Sequence, residues 1–132
     1  MRPALAWSAT VAYMAVLFWL SSRTGDVVGR WNLLRVPDYV LHGVAYLGLG
    51  AVAHVAFAAS FRWSPWLRAL AAMVLATVYG VSDEVHQAFV PGRMASWQDV
   101  LADAAGAAVG QVLFLVRPVA DRMRQKRERI SD

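Results

Sequence analysis

The chain has 132 residues, 58% of them hydrophobic and 17% charged, with a formal net charge of +4 at pH 7 and a mean hydropathy of +0.42. That balance is too apolar for a soluble domain of this length and describes a polytopic membrane protein. Four spans of about 20 residues with short loops use nearly all of the chain, so 1–132 forms one domain without a separate soluble module, and zero cysteines exclude a disulfide framework and thiol catalysis.

The first apolar run, 4–20, carries no charge and is closed by Ser21, Ser22, Arg23 and Gly25. Only Arg2 precedes it, Trp7, Tyr13 and Trp19 lie within it, and no small-residue cleavage site follows. It therefore reads as a retained helix rather than a signal peptide. A loop bearing Arg23, Asp26, Arg30 and Arg35 leads to the second run, 38–60, where Pro37 marks a helix boundary and Asp38 occupies the first turn. The third run, 66–89, begins beside Ser64-Pro65, and Pro91-Gly92 makes the turn into the fourth, 97–116. Most of the six tryptophans sit near the ends of these runs, as interfacial anchors do. The predicted fold is an all-α bundle of four transmembrane helices.

Residues 117–132 form a basic tail with Arg117, Arg122, Arg124, Lys126, Arg127 and Arg129, which places that end in the cytoplasm. An even number of spans puts the N-terminus there too, with nine of the 13 Lys and Arg residues inside. The basic excess then meets anionic lipid headgroups, and no nucleic-acid partner is expected. In this topology six of the nine acidic residues, Asp26, Asp38, Asp83, Glu84, Asp99 and Asp103, gather at the extracytoplasmic end. Ionisable groups there are expensive and mark a functional site.

Asp38, His42 and Tyr46 recur at i, i+4 and i+8, so they share one stripe of the second helix. Capping explains Asp38 alone and leaves His42 without a role. On the third helix Glu84 and His86 diverge by about 160°, whereas Gln87 lies about 60° from Glu84 and about 40° from Asp83. Glu84 and Gln87 are the inward pair, with His86 at headgroup level. The divergence argues against a metal site built from Glu84 and His86, and no His-Glu-x-x-His or Cys/His cluster is present. No metal or other cofactor is expected, and a carboxylate-plus-His set drawn from several helices is the one route left to a metal. Arg93 follows the Pro91-Gly92 turn and projects over the bundle mouth, where its guanidinium suits a phosphate or carboxylate. The bland alternative is a salt bridge from Arg93 to Asp83, Glu84 or Asp99. Ser96 and Asp99 have capping-box spacing, while Asp103, one turn deeper, forms a conceivable acid/base pair with Asp99. Gly106 and Gly110 form a small-residue packing stripe, and His54 reads as structural.

In order and helix position, Ser21-Ser22, Asp38-x3-His42-x3-Tyr46, Asp83-Glu84-x-x-Gln87-x-Phe89-x-Pro91-Gly92-Arg93 and Asp99-x3-Asp103-x2-Gly106-x3-Gly110 resemble the VanZ-like family of small bacterial membrane proteins across nearly the whole chain. That family commonly has lysine after the first aspartate, where this chain has Tyr39, and often asparagine at the position of Asp103. Arg35 is positioned to replace the missing cation. The resemblance implies an integral protein of the bacterial cytoplasmic membrane whose namesake is associated with low-level teicoplanin resistance. No accepted reaction comes with it, and the phosphotransbutyrylase label of some relatives finds no nucleotide-binding glycine loop here.

The leading expectation is an outward-facing site for an anionic envelope lipid or lipid-linked glycan precursor, with acid/base chemistry conceivable. Arg93, with Arg35, would hold phosphate. Glu84, Asp99 and His42 are the catalytic candidates, and Asp38, Tyr46, Asp83, Gln87 and Asp103 orient the ligand. The alternative is a non-enzymatic membrane protein that modulates glycopeptide access. Transport requires an oligomer, since four short helices leave little room for two gates. A reporter active only in the cytoplasm, fused after Asp132, is expected to give signal, and a periplasm-dependent reporter at the same position to stay silent. The reverse pattern inverts the topology.

Overall fold

The computed structural model describes residues 2–32 and 35–131, with side chains for 2–32, 35–112 and 114–116. It is all-helical among those residues: α1 (Pro3–Ser21), α2 (Gly25–Trp31), α3 (Asp38–Ser60), α4 (Pro65–Gln87) and α5 (Trp97–Ser131). Pro3–Ser21, Asp38–Ser60, Pro65–Gln87 and the Trp97–Val116 part of α5 are long and apolar enough to cross a membrane, and the protein is an integral membrane protein. Proline sets three of the starts. Pro3 and Pro65 occupy the first turns of α1 and α4, where a missing N–H is harmless, and Ser64 caps α4 by accepting the Leu67 N–H at 3.3 Å. Pro37 directly precedes α3. The basic side chains of 117–131 lie outside the described side chains, although the α5 backbone continues through that tail to Ser131.

Two boundaries differ from the sequence expectation. Residues 25–31, expected as loop, form the short helix α2, seated on the loop after α4 by the Gly25 N–H donating to Pro91 O at 3.1 Å. A side chain at Gly25 would run into the Gly92 carbonyl, and Gly92 itself has φ +73°, a left-handed conformation suited to glycine. The third span also stops at Gln87 rather than Phe89. The Phe89 N–H bonds to His86 O and the Val90 N–H to Gln87 O, tightening the exit into the Pro91-Gly92 turn.

The core of the bundle is the α3–α5 contact, with α4 packed on both and α1 lying mainly on α3. Helices in lipid gain little from burying apolar surface against each other, so close packing of small residues carries the association. Gly106 sits against the Gly43 carbonyl and Gly110 against the Leu47 carbonyl, while Gly50 faces Ala107. The first half of α1 is fastened to α3 by Trp7 Nε1–H to Ser60 Oγ (2.9 Å), Thr10 Oγ1–H to Val52 O (3.4 Å) and Tyr13 O–H to Ala45 O (2.9 Å). Its second half ends at the polar end of the bundle.

Gly106→Ala is expected to destabilise the detergent-solubilised protein by about 1–3 kcal/mol through forced separation of α3 and α5. Gly29→Ala, with open space around it, is expected to leave the unfolding midpoint unchanged within error. An SDS or thermal unfolding series reads both.

Candidate functional site

The close approach at Gly43 and Gly106 brings the polar stripe of α3 against α5. His42 Nδ1 lies 3.1 Å from Asp103 Oδ1, and Asp103 is fully buried. Gly80 on α4 makes room for the same carboxyl, since a side chain there would collide with it. From α4, Asp83, Glu84 and Gln87 all point inward and are buried. His86 points away, to Ser22 Oγ at 3.1 Å and the Phe18 ring at 4.5 Å. The angular separation read from the sequence is therefore realised.

Glu84 bridges two neighbours. Its Oε2 accepts the Ser96 backbone N–H at 2.7 Å, and its Oε1 lies 3.8 Å from His42 Nδ1. This corrects the capping-box expectation: at Ser96, immediately before α5, the N–H that Asp99 would accept is taken by Glu84 from another helix, and the Ser96 hydroxyl donates to Gln98 Oε1 at 2.9 Å. Asp103 is engaged by His42 rather than paired with Asp99. Asp99 is buried nearer the mouth, where one oxygen of it, one of Asp38 and a ring nitrogen of His42 lie within 4.8 Å of one another.

Arg93 also departs from its bland alternative. Its ion-pair partner is Asp38, at 3.0 Å, with the guanidinium nearly buried and the carboxylate about half exposed. Asp38 makes no capping bond to its own helix. The same Arg93 nitrogen donates to Gln87 Oε1, and this contact fixes the polarity of everything beyond it. A guanidinium can only donate, so Gln87 presents its oxygen outward and its amide N–H groups inward. One donates to Asp83 Oδ2 at 3.0 Å, and the amide nitrogen lies 3.5 Å from His42 Nε2. His42 is then an acceptor at Nε2 and carries its proton on Nδ1, which donates to Asp103. The direction of each bond follows from the one before it.

Tyr46 stacks on the His42 ring at a centroid distance of 6.1 Å. Its buried hydroxyl has no hydrogen-bond partner among the described residues. Arg35, expected near the site, is exposed and left-handed at φ +51°, and it belongs to the walls of neither cavity described here.

Two cavities of about 590 Å³ each meet at the Asp38–Arg93 pair. One is a groove walled by apolar residues including Leu17 and Leu20 of α1, Val28 and Trp31 of α2 and Leu41 of α3, with His42, Asp83 and Gln87 at its polar end. The other is a mouth lined by Ser96, Gln98 and Asp99 among others. Helix α2 contributes to both, and no periodicity in its seven residues had marked it. The sequence reading also missed Gln111, which joins His54 Nδ1 at 2.7 Å and donates to Gly50 O at 3.0 Å. Its signal was a lone amide next to Gly106 and Gly110.

These features define a class: a small helical membrane protein with a buried histidine–carboxylate centre at one end of its bundle, beside an apolar groove. The family model described as VanZ/LLP1 matches residues 6–118, and the chain belongs to that family. No curated protein and no solved structure matches the chain.

Nitrogen NMR of the histidine-labelled protein is expected to show His42 protonated at Nδ1 and bare at Nε2. Asp103→Ala, which strands the buried Nδ1–H, is expected to cost about 1–3 kcal/mol in unfolding free energy. Asp103→Asn keeps an acceptor and should cost less than half as much. Equal losses in the two variants would remove the role of this bond.

Proposed function

We propose that this VanZ-family protein binds a phosphate-bearing envelope lipid or lipid-linked glycan precursor at the extracytoplasmic end of its bundle. The observation that carries the reading is the amphipathic groove, in which the apolar walls of α1, α2 and α3 run into a floor of His42, Asp83 and Gln87 beside Arg93. Hydrocarbon suits the walls, and the headgroup phosphate competes with the half-exposed Asp38 for Arg93. The basic tail, on the same proposal, faces the cytoplasm, and the partner of the site is a membrane lipid. The family association with teicoplanin resistance makes a cell-wall precursor the leading ligand class.

In the catalytic form of the reading, His42 Nε2 is the general base, held in the correct tautomer by Asp103 through Nδ1. Glu84 and Asp99 supply or receive a proton on the opposite side, while Tyr46 and Asp83 orient the bound group. A non-enzymatic reading has its own support: Arg93 is already satisfied by Asp38 and Gln87, an arrangement that suits a binding protein that modulates glycopeptide access to its precursor.

Binding of a polyprenyl phosphate, set against a zwitterionic phospholipid of equal chain content, is expected to weaken at least about tenfold in Arg93→Gln. Equal binding by wild type and variant overturns the lipid reading. Glu84→Gln and His42→Asn then separate the two forms. Loss of cellular function with normal expression and lipid binding identifies chemistry, and full function in both variants leaves a binding protein.

A further inference from the structure

Asp83, Glu84, Asp99 and Asp103 are each more than nine-tenths buried, and if ionised together they would carry more negative charge than their surroundings answer. Among the described residues the guanidinium that reaches this cluster is that of Arg93, and it is paired with Asp38. Three of the carboxyls keep an oxygen without a hydrogen-bond partner among the described residues: Asp83 Oδ1, Glu84 Oε1 and Asp103 Oδ2. Packing accounts for the last, which rests against Gly80. It does not account for the other two. A buried carboxylate oxygen left unpaired is strongly disfavoured.

The two residues that carry these oxygens lie together with His42. One ring nitrogen of His42 and one oxygen each of Asp83 and Glu84 lie within 4.8 Å of one another. We infer that His42, Asp83 and Glu84 bind a divalent cation of the first transition row, of Mn²⁺ or Zn²⁺ type, at the polar floor of the groove.

The hydrogen-bond pattern around these residues is what a metal site requires. Each candidate carboxylate has one oxygen held by a protein partner and the other left for a ligand, while His42 Nε2 exchanges its long contact with the Gln87 amide for the cation. Asp83 Oδ2 is held by Gln87 and Glu84 Oε2 by the Ser96 N–H, while His42 Nδ1 is held by Asp103. The atoms left over are Asp83 Oδ1, Glu84 Oε1 and His42 Nε2, the last opposed only by the Gln87 amide at 3.5 Å, the longest contact of the set. Partners of this kind orient metal ligands and fix the imidazole tautomer. Bond lengths of about 2.1 Å to the cation need ligand atoms about 3–4 Å apart, a modest contraction from the spacing present. One imidazole with two carboxylates favours Mn²⁺ or Zn²⁺ over Ca²⁺, which takes six or more oxygens. This assembly comes from two helices, with the imidazole supplied by α3 rather than by His86.

The inference goes beyond lipid binding and stands without it, and it replaces the general-base role of His42, because a cation bound at Nε2 occupies the lone pair that would take a proton. One consequence does rest on the lipid reading: a cation here offsets the repulsion that four buried carboxyls would exert on a phosphate beside Arg93.

The test uses the full chain in detergent, stripped with chelator and titrated with MnCl₂ or ZnCl₂, with MgCl₂ and CaCl₂ as comparisons. Saturable binding of one Mn²⁺ or Zn²⁺ per chain is expected, with a rise of several degrees in the unfolding temperature. Affinity should fall at least about tenfold in Asp83→Asn and in Glu84→Gln, and stay unchanged in Asp26→Asn, an exposed α2 position. In chelator both neutral variants should unfold at or above the wild-type temperature, which separates lost ligation from misfolding. Pulsed EPR of the Mn²⁺ form should show coupling to one imidazole nitrogen that disappears in His42→Gln and persists in His86→Gln. Three results overturn the inference: no saturable binding below about 1 mM, unchanged binding in the Asp83→Asn/Glu84→Gln double variant, or nitrogen coupling that survives His42→Gln. Cation binding that persists while polyprenyl phosphate binding fails overturns the lipid reading alone, and lipid binding without cation binding overturns this inference alone.

Discussion

The contact between α3 and α5 is the constraint on which the rest of the molecule depends. Gly43 and Gly106 let the two backbones approach closely enough for His42 and Asp103 to form a direct hydrogen bond of 3.1 Å. Without that approach neither residue has its partner, and a fully buried carboxylate would lie among apolar helices, which is strongly unfavourable in a membrane. Packing and polarity are therefore one design here. The small residues that associate the helices also assemble the site, and Gly80 extends the same logic to α4 by accommodating the Asp103 carboxyl.

From that contact the network runs outward to Arg93 with a fixed direction. Arginine has no acceptor, so its bond to Gln87 sets the amide orientation, the amide sets the His42 tautomer, and the tautomer sets what Asp103 receives. A buried network of this kind is favourable when every member is satisfied and costly when one is not. The exceptions in this network are informative because they cluster: Tyr46 Oη, Asp83 Oδ1, Glu84 Oε1 and Asp103 Oδ2 have no partners among the described residues, and Tyr46 and Asp83 are also walls of the groove.

Much of this architecture was legible in the sequence, and for identifiable reasons. Four apolar runs of membrane-spanning length give the four long helices, and a 100° step per residue separates His86 from Glu84. The i, i+4, i+8 spacing likewise puts Asp38, His42 and Tyr46 on one stripe. Pairing between helices was less readable, because spacing along a helix carries no information about its neighbours. The alternative to a ligand for Arg93 was a salt bridge to Asp83, Glu84 or Asp99, whereas its partner is Asp38, and Ser96 takes Glu84 in place of the local Asp99. Helix α2 was invisible because seven residues show too little periodicity, and Arg35 was assigned to the site from charge and proximity in sequence alone. Gln111 was overlooked because one amide in an apolar run has no pattern around it.

Helix α2 is short, yet it lies between a greasy groove and a polar mouth, and it is seated on the opposite loop through Gly25 and Pro91. The groove rim carries exposed Leu20, Trp31 and Leu41, apolar surfaces of the kind that acyl chains solvate. On the lipid-binding proposal, a ligand reaching the groove past that rim would travel sideways within one leaflet, already dissolved in lipid. Its occupancy is then governed by its mole fraction in that leaflet, a two-dimensional quantity that stays the same when the surrounding aqueous volume is diluted.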